Sequence, residues 1–174
     1  MIGGGSSGWD GRGNGHRAFT TNDTTLLSND PDNSLNLTET GKPVNIMIID
    51  DDKDIAFTFN TALSPYSKEF NVETFTDAKE ALKRFLEVKN DQNKNSDYDI
   101  VITDIRMPGL NGIQVYQILK ALDSKQKVLF ISALDSAQEI ISVLPNVKLN
   151  EIIKKPVEVN ELVQIIRTVL SSDL

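Results

Sequence analysis

The stretch "IMIIDDDKDI", from Ile46 to Ile55, decides how the rest of the chain is interpreted. Apolar residues run directly into three consecutive aspartates, Asp50, Asp51 and Asp52. A short apolar run of this kind is typical of a strand that is buried on both faces of a parallel sheet. Carboxylates packed so closely repel one another, and a counter-charge is needed to relieve the repulsion. The stretch therefore predicts a buried strand that ends in a charged site.

The composition indicates one domain of ordinary size with a polar extension. The chain has 174 residues, a formal net charge of -7 and a sequence pI of about 4.7. This acidic balance argues against a nucleic-acid or anionic-membrane binder, because no basic field attracts phosphates. The chain has no cysteine, which excludes disulfides and thiolate metal sites. It also has no apolar run of membrane-spanning length and no signal-peptide core, so we expect a cytoplasmic protein.

Residues 1–43 differ in character from the remainder. They are rich in Gly, Ser, Asn, Thr and Asp, and their few apolar residues follow no pattern. Such a segment buries too little surface to offset its ordering entropy, so it is predicted to be a disordered low-complexity tail. The only histidine, His16, falls in this tail, and no phosphorelay role is expected for it. Residues 44–174 are predicted to form the folded domain.

From Val44 onward, strand-like and helix-like segments alternate five times. The strand-like segments are "VNIMII", "FNVETF", "YDIVIT", "KVLFIS" and "NEIIK". Amphipathic helical segments follow them, and the second helix has Asp77 at the position of an N-cap. Regular alternation with right-handed crossovers predicts an α/β fold. We expect a flavodoxin-like, doubly wound, five-stranded parallel sheet of order 2-1-3-4-5 with five helices.

Polar residues stand where each of several predicted strands ends. In an open parallel sheet, ligands bind outside the carboxyl ends of the strands, where the strand order reverses. The residues predicted at these ends are Asp50 and Asp51, Asp104, Ser132 and Ala133, and Lys154, Lys155 and Pro156. Carboxylates, a hydroxyl and an ammonium group would therefore converge on one edge of the sheet.

These residue types are the ones that phosphoryl transfer requires. Mg2+ binds one or two carboxylates together with waters and phosphate oxygens. Lysine supplies a compact positive charge, and serine supplies a hydrogen-bond donor. An aspartate can act as the nucleophile and form an acyl phosphate. Catalysis then consists largely of positioning and charge stabilisation.

Four segments carry a resemblance to a known family. "IMIIDDDKDI", "VITDIRMPGLNG", "FISA" and "IIKKP" resemble the signature segments of response-regulator receiver domains of two-component signalling. They occur in the order and approximate spacing of that family, over about residues 44–171. The resemblance is to a stand-alone, CheY-like receiver domain.

The resemblance implies a role for each strand-end residue. It makes Asp104 the phosphoacceptor and assigns the phosphoryl-binding hydroxyl and ammonium groups to Ser132 and Lys155. It implies a Mg2+ site formed by Asp50, Asp51, Asp104 and the backbone carbonyl of Arg106. Asp52 is instead expected to begin the first helix, and Lys154 is expected to face the solvent.

Some positions depart from the usual pattern of the family. Ser132 stands where many receivers have threonine, which keeps the donor. Ile152 stands at the switch position, where many receivers have an aromatic residue. The aromatic-rotamer form of switching is therefore in doubt. Arg106 and Leu134 occupy the positions that tune phosphate lifetime, and both are bulky.

The family implies a signalling function that works through other proteins. A histidine kinase or a histidine phosphotransfer protein would donate the phosphoryl group from a phosphohistidine. The phosphorylated domain would then change conformation and control a downstream protein. The predicted domain extends to the final "SSDL", so we expect no separate output enzyme, no direct DNA binding and no membrane partner.

Three alternatives compete with this interpretation. An EF-hand loop beginning at Asp50 would need Gly and Glu where Ile55 and Thr61 stand, so it fails. An aspartyl phosphatase of the haloacid-dehalogenase type would place Asp50 and Asp52 in its motif, but the third element, Asp54, does not match. A pseudo-receiver that binds a partner without accepting phosphate stays open on the sequence alone.

Overall fold

A computed structural model of the chain describes residues 41–91, 97–133 and 137–171. Its five strands form one fully parallel sheet in the order β2-β1-β3-β4-β5, which confirms the predicted topology. The strands are β1 Val44–Ile49, β2 Phe70–Phe75, β3 Ile100–Asp104, β4 Lys127–Ser132 and β5 Ile152–Lys154. Residues 1–40 lie outside the described residues, so the tail and its boundary stay predictions.

Five helices connect and follow the strands. They are α1 Lys53–Leu63, α2 Ala78–Asn90, α3 Gly112–Leu122, α4 Ala137–Val143 and α5 Val159–Ser171. Short 3-10 turns lie at Ser64–Tyr66 and Leu149–Glu151. Within the described residues, no helix is both long and apolar enough to cross a lipid bilayer.

The segment "NEIIK" differs in part from its prediction as a strand. Its first residues, Asn150 and Glu151, belong to the 3-10 turn, and β5 begins only at Ile152. The carboxylate of Glu151 accepts a hydrogen bond of 2.9 Å from the backbone N–H of Lys148, and the N–H of Glu151 donates to the Lys148 carbonyl. These local bonds compete with strand pairing and delay the start of β5.

Helix N-caps set the angle at which the chain leaves the sheet edge. Asp52 caps α1 and accepts hydrogen bonds from the N–H groups of Asp54 and Ile55. Asp77 caps α2 in the same way, as predicted. Asn111 caps α3. Each cap satisfies backbone donors that the first helical turn would otherwise leave without partners.

The strands supply side chains to both faces of the sheet in alternation. In β1, Ile46 and Ile48 pack on the face covered by α1 and α5, while Met47 and Ile49 pack on the face covered by α2 and α3. All four are essentially inaccessible to solvent, and each contributes about 2 kcal/mol by leaving water. This two-sided burial explains why β1 reads as a continuous apolar run.

Candidate functional site

The site begins where β1 and β3 end side by side. Ile49 and Thr103 are paired in the parallel register, so the next residues, Asp50 and Asp104, are neighbours at the sheet edge. Only 2% of Asp50 and 9% of Asp104 is exposed to solvent. Buried carboxylates require compensation by charge or hydrogen bonds. The edge of the sheet therefore holds two acidic groups that depend on their partners.

Lys155 compensates both carboxylates at once. Its Nζ lies 2.7 Å from Oδ2 of Asp50 and 2.9 Å from Oδ1 of Asp104. The second oxygen of Asp50 accepts a hydrogen bond of 3.1 Å from the N–H of Asp52. The second oxygen of Asp104 accepts one of 3.0 Å from the N–H of Arg106. Each carboxylate oxygen of Asp50 and Asp104 is thus held by a donor.

The pKa values reflect this crowding. Burial raises the pKa of Asp50 above its ordinary value, the bonds from Lys155 and Asp52 partly oppose the rise, and the charge of Asp104 adds to it. Burial lowers the pKa of Lys155, but its hydrogen bonds and attraction to Asp50 and Asp104 outweigh that effect, so its pKa is raised overall. The ammonium group therefore stays protonated at neutral pH.

Ser132 joins the site through the backbone of β4. It is 3% exposed, and its hydroxyl donates to the carbonyl of Ala133 at 3.0 Å. Its own carbonyl accepts a hydrogen bond of 2.7 Å from the N–H of Lys155, and the following Lys155–Pro156 peptide is cis. Lys154, the preceding residue, is exposed. The structure thus brings Ser132 next to Lys155 through the main chain and leaves Lys154 outside.

Asp51 differs from Asp50 and Asp104, the other carboxylates of the predicted metal site, because it is exposed at the rim. Among the described residues, no three acidic or histidine side chains form a group that could hold a metal. Asp50 and Asp104 nevertheless share a single ammonium group, which leaves the buried set with excess negative charge. Hard oxygen donors with unbalanced charge suit Mg2+, which commonly takes one or two protein carboxylates and completes its shell with water. The residues present fit such an ion.

Gly112 is a site residue that sequence reasoning missed. A Cβ added there would lie 2.2 Å from the carbonyl oxygen of Asp104, far inside contact distance. Its N–H donates to the carbonyl of Ile105 at 3.0 Å, and the hydroxyl of Thr103 donates to the Asp104 carbonyl. Only glycine allows α3 to approach the end of β3 this closely. The one available signal was the Asn-Gly pair at the start of the helix.

Comparison with known proteins identifies the family. The response regulator receiver domain model matches residues 46–167. The chain belongs to the response regulator receiver family. A search of curated proteins finds no match.

Solved structures agree with this assignment. The CheX-CheY-BeF3-Mg+2 complex from Borrelia burgdorferi contains a chain 27% identical to this receiver, with a TM-score of 0.63 over 76% of this chain and 93% of that one. A response regulator receiver domain protein from Clostridium thermocellum is 25% identical, with a TM-score of 0.62 over 75% and 96% of the two chains. A receiver protein from Sinorhizobium medicae shares the fold at 20% identity and a TM-score of 0.61, over 76% and 98%.

Ile152, the residue at the predicted switch position, packs beside aromatic residues that other elements supply. Ile152 is half-buried and packs against a cluster that includes Phe130 and Ile140. The ring of Tyr116, on α3, lies 5.5 Å from that of Phe130. Leu134 lies outside the described residues, and the Arg106 side chain is exposed. Tyr116 therefore places an aromatic ring in the same cluster as Ile152.

Proposed function

We propose that this receiver accepts a phosphoryl group on Asp104 from the phosphohistidine of a histidine kinase or a histidine phosphotransfer protein. The observation that carries the proposal is the convergence of the Lys155 ammonium group on Asp50 and Asp104. The three residues come from three separate strand ends, and salt bridges alone seldom justify burying two carboxylates. A site that handles a negatively charged group gives this arrangement a purpose.

In the proposed reaction, a carboxylate oxygen of Asp104 attacks the phosphorus atom. The phosphorus–nitrogen bond of the phosphohistidine breaks, its electron pair stays on the imidazole nitrogen, and an acyl phosphate forms on Asp104. The N–H of Arg106 holds the carboxylate in orientation during the attack. Lys155 then transfers its hydrogen bonds from carboxylate to phosphoryl oxygens, and the Ser132 hydroxyl exchanges the Ala133 carbonyl for the same acceptor.

Asp50, Asp51, Asp104 and the backbone carbonyl of Arg106 would hold Mg2+ in this reaction. When bound, the ion neutralises the charge that accumulates between the carboxylates and the phosphoryl oxygens. The Borrelia burgdorferi relative supports this proposal, since that complex contains both BeF3 and Mg+2. The exposed position of Asp51 keeps its carboxylate at the side from which ions enter.

We further propose that phosphorylation biases a two-state equilibrium of the domain, and that a partner protein in the cytoplasm reads the result. The chain would catalyse its own phosphotransfer and dephosphorylation. A relative that was solved in complex with a second protein, CheX, supports the proposal that a partner protein binds this domain.

Incubation with Mg2+ and acetyl phosphate tests the proposal. We expect intact-mass spectrometry to detect a single hydroxylamine-labile phosphoryl group, which Asp104→Asn removes and the matched exposed variant Asp54→Asn retains. Omission of Mg2+ should prevent the labelling. Label that persists in Asp104→Asn would disprove the assignment. A phosphatase would instead turn over substrate in a manner that depends on Asp50, and a pseudo-receiver would take no label.

A further inference from the structure

A cleft of about 770 Å3 lies at the end of the sheet opposite the phosphoryl site. It is bounded by the end of α3, the start of β4, the turn before β5 and the end of α5. Lys127 begins β4 and lines the cleft, whereas Ser132 ends β4 at the phosphoryl site. The length of this strand separates the two places by about 17 Å. The cleft is therefore distinct from the site described above.

The cleft is strongly basic in an otherwise acidic protein. Its charged lining consists of four lysines, Lys120, Lys125, Lys127 and Lys148, and one glutamate, Glu151. The chain as a whole carries a formal net charge of -7. A concave surface lined by one sign of charge concentrates its field and attracts counter-ions. The cleft is thus a local region of positive charge, which the net negative charge of the chain does not reveal.

Two of these lysines, Lys120 and Lys127, are held in the cleft wall by hydrogen bonds to backbone carbonyls. Lys120 donates to the carbonyls of Ser124 and Gln126, at 3.2 and 2.6 Å, and its Nζ lies 5.7 Å from the centre of the Tyr116 ring. These acceptors are neutral, so the positive charge of Lys120 persists. The carboxylate of Asp123 attracts Lys120 electrostatically, but it already forms a salt bridge of 2.6 Å with Lys89.

Lys127 occupies the opposite wall. Its ammonium group donates to the carbonyls of Val169 and Leu170, at 2.8 and 3.0 Å, and so caps the end of α5. The negative charge of the Asp99 carboxylate also attracts this ammonium group. Lys127 therefore stabilises the end of α5 and also adds positive charge to the cleft. Its substitution would disturb α5.

The other two lysines are exposed at the rim. The backbone N–H of Lys125 donates to Asp123 and that of Lys148 donates to Glu151, both at 2.9 Å, so both backbones are anchored. In the part of the chain that the structure describes, neither ammonium group forms a salt bridge. Lys125 and Lys148 are therefore available to a ligand from fixed positions.

We propose that this cleft binds a small anion that carries several phosphate groups. Lysine binds phosphate oxygens as a compact point charge, and four lysines placed around one cleft suit a ligand that carries several such charges. The volume falls within the range of small-molecule sites. Val128, Val169 and the Tyr116 ring add apolar surface beside the charges. The overall negative charge of the protein disfavours an extended polyanion such as nucleic acid, so a compact ligand fits better.

Isothermal titration calorimetry of the full chain with inorganic tripolyphosphate, in the presence of EDTA, tests this proposal. We expect saturable binding at one site, and Lys125→Gln combined with Lys148→Gln should weaken it about tenfold, as expected for the loss of charge-assisted hydrogen bonds. The matched control combines Lys68→Gln with Lys79→Gln, which removes the same charge from exposed positions outside the cleft. This control should bind like wild type, and so should Asp104→Asn.

Three results would overturn the proposal. They are the absence of saturable binding, an equal loss of affinity in the two double variants, and loss of binding in Asp104→Asn. Amide chemical shifts should move for residues 124–128 and 146–151 rather than around Asp104. Labelling by acetyl phosphate in the cleft variants should match wild type, which separates failure here from failure of the proposed phosphotransfer.

Discussion

Nζ of Lys155 lies 2.7 Å from Oδ2 of Asp50, although 105 positions separate the two residues in the chain. The same ammonium group reaches Asp104 at 2.9 Å. One cation therefore serves two buried carboxylates. Loss of that cation leaves both acids without their charged partner, whereas loss of either acid leaves the lysine with the other.

Replacement of Lys155 by methionine should lower the free energy of unfolding by about 3 kcal/mol, the usual result of leaving buried charges without their partner. Urea denaturation without divalent ions measures this loss. Lys154→Met is the matched control, and because Lys154 is exposed it should change stability by no more than about 0.5 kcal/mol. Equal stability of the two variants would show that Lys155 does not compensate Asp50 and Asp104.

Because Asp51 is exposed, its substitution should affect Mg2+ binding without lowering the stability of the fold. Asp51→Ala should leave the metal-free protein as stable as wild type or slightly more stable, because it relieves repulsion with Asp50. We expect calorimetry to show Mg2+ binding weaker by at least about tenfold, because loss of even a residue that only orients a metal ligand commonly has an effect of this size. Asp54→Ala, which removes an exposed acid from the first turn of α1, should retain wild-type affinity. A marked loss of stability in metal-free Asp51→Ala would contradict this view of the aspartate cluster.

The contact between α3 and β3 predicts a strong effect for Gly112→Ala. Its Cβ would meet the Asp104 carbonyl oxygen at 2.2 Å, so the helix or Asp104 must move. We expect a loss of stability of about 2 to 3 kcal/mol and slower labelling by acetyl phosphate. Gly109→Ala is the matched control: its φ of 80° makes alanine unfavourable by about 1 kcal/mol, but it has space for a methyl group. Labelling of Gly112→Ala at the wild-type rate would mean that this contact does not position Asp104.

The pair of Lys89 and Asp123 predicts a stability contribution that depends on pH. The hydrogen bond from Lys89 lowers the pKa of Asp123 below its ordinary value of 3.8. A lowered pKa gives stability that is complete above about pH 3.8 and is lost as the pH falls through the folded-state value. Lys89→Met should therefore be less stable than wild type by about 0.5 to 1 kcal/mol at pH 7, with the difference shrinking in acid. A difference that is constant from neutral to acidic pH would exclude this ion pair as its source.

The side chain of Arg106 is exposed two residues after Asp104, the proposed phosphoacceptor, and we expect it to hinder attacking water. Arg106→Asn should therefore shorten the lifetime of the aspartyl phosphate, while its backbone bond to Asp104 is retained. The decay of label after removal of acetyl phosphate measures this lifetime. Lys53→Asn, at the start of α1, controls for the loss of a nearby positive charge. Equal lifetimes in wild type and Arg106→Asn would rule out shielding by this side chain.

Much of this molecule could be predicted from its sequence because a parallel sheet brings strand ends together. Once β1, β3 and β5 were assigned, Asp50, Asp104 and Lys155 had to meet at one edge. The caps formed by Asp52 and Asp77 were predictable because they depend on neighbouring residues alone.

Other features depend on contacts that periodicity does not encode. The tight approach of Gly112 to Asp104 requires knowledge of where α3 lies on the sheet. The late start of β5 depends on the bonds between Lys148 and Glu151. The exposure of Asp51 follows from the turn into α1, because Asp52 takes the cap position. In each case the outcome depends on tertiary contacts, and the sequence pattern alone does not show which residue makes them.

The hydrogen bond from the N–H of Lys155 to the carbonyl of Ser132 has a mechanical consequence. It anchors the main chain of the lysine to β4 at the point where its side chain departs. In the proposed phosphotransfer, Lys155 would exchange a carboxylate partner for phosphoryl oxygens. Its side chain would rotate to do so, while this backbone hydrogen bond holds its main chain in place. Under the proposed phosphotransfer, the main chains of Lys155 and Ser132 would keep their spacing while their side-chain acceptors change, so we expect the ends of β4 and β5 to move together.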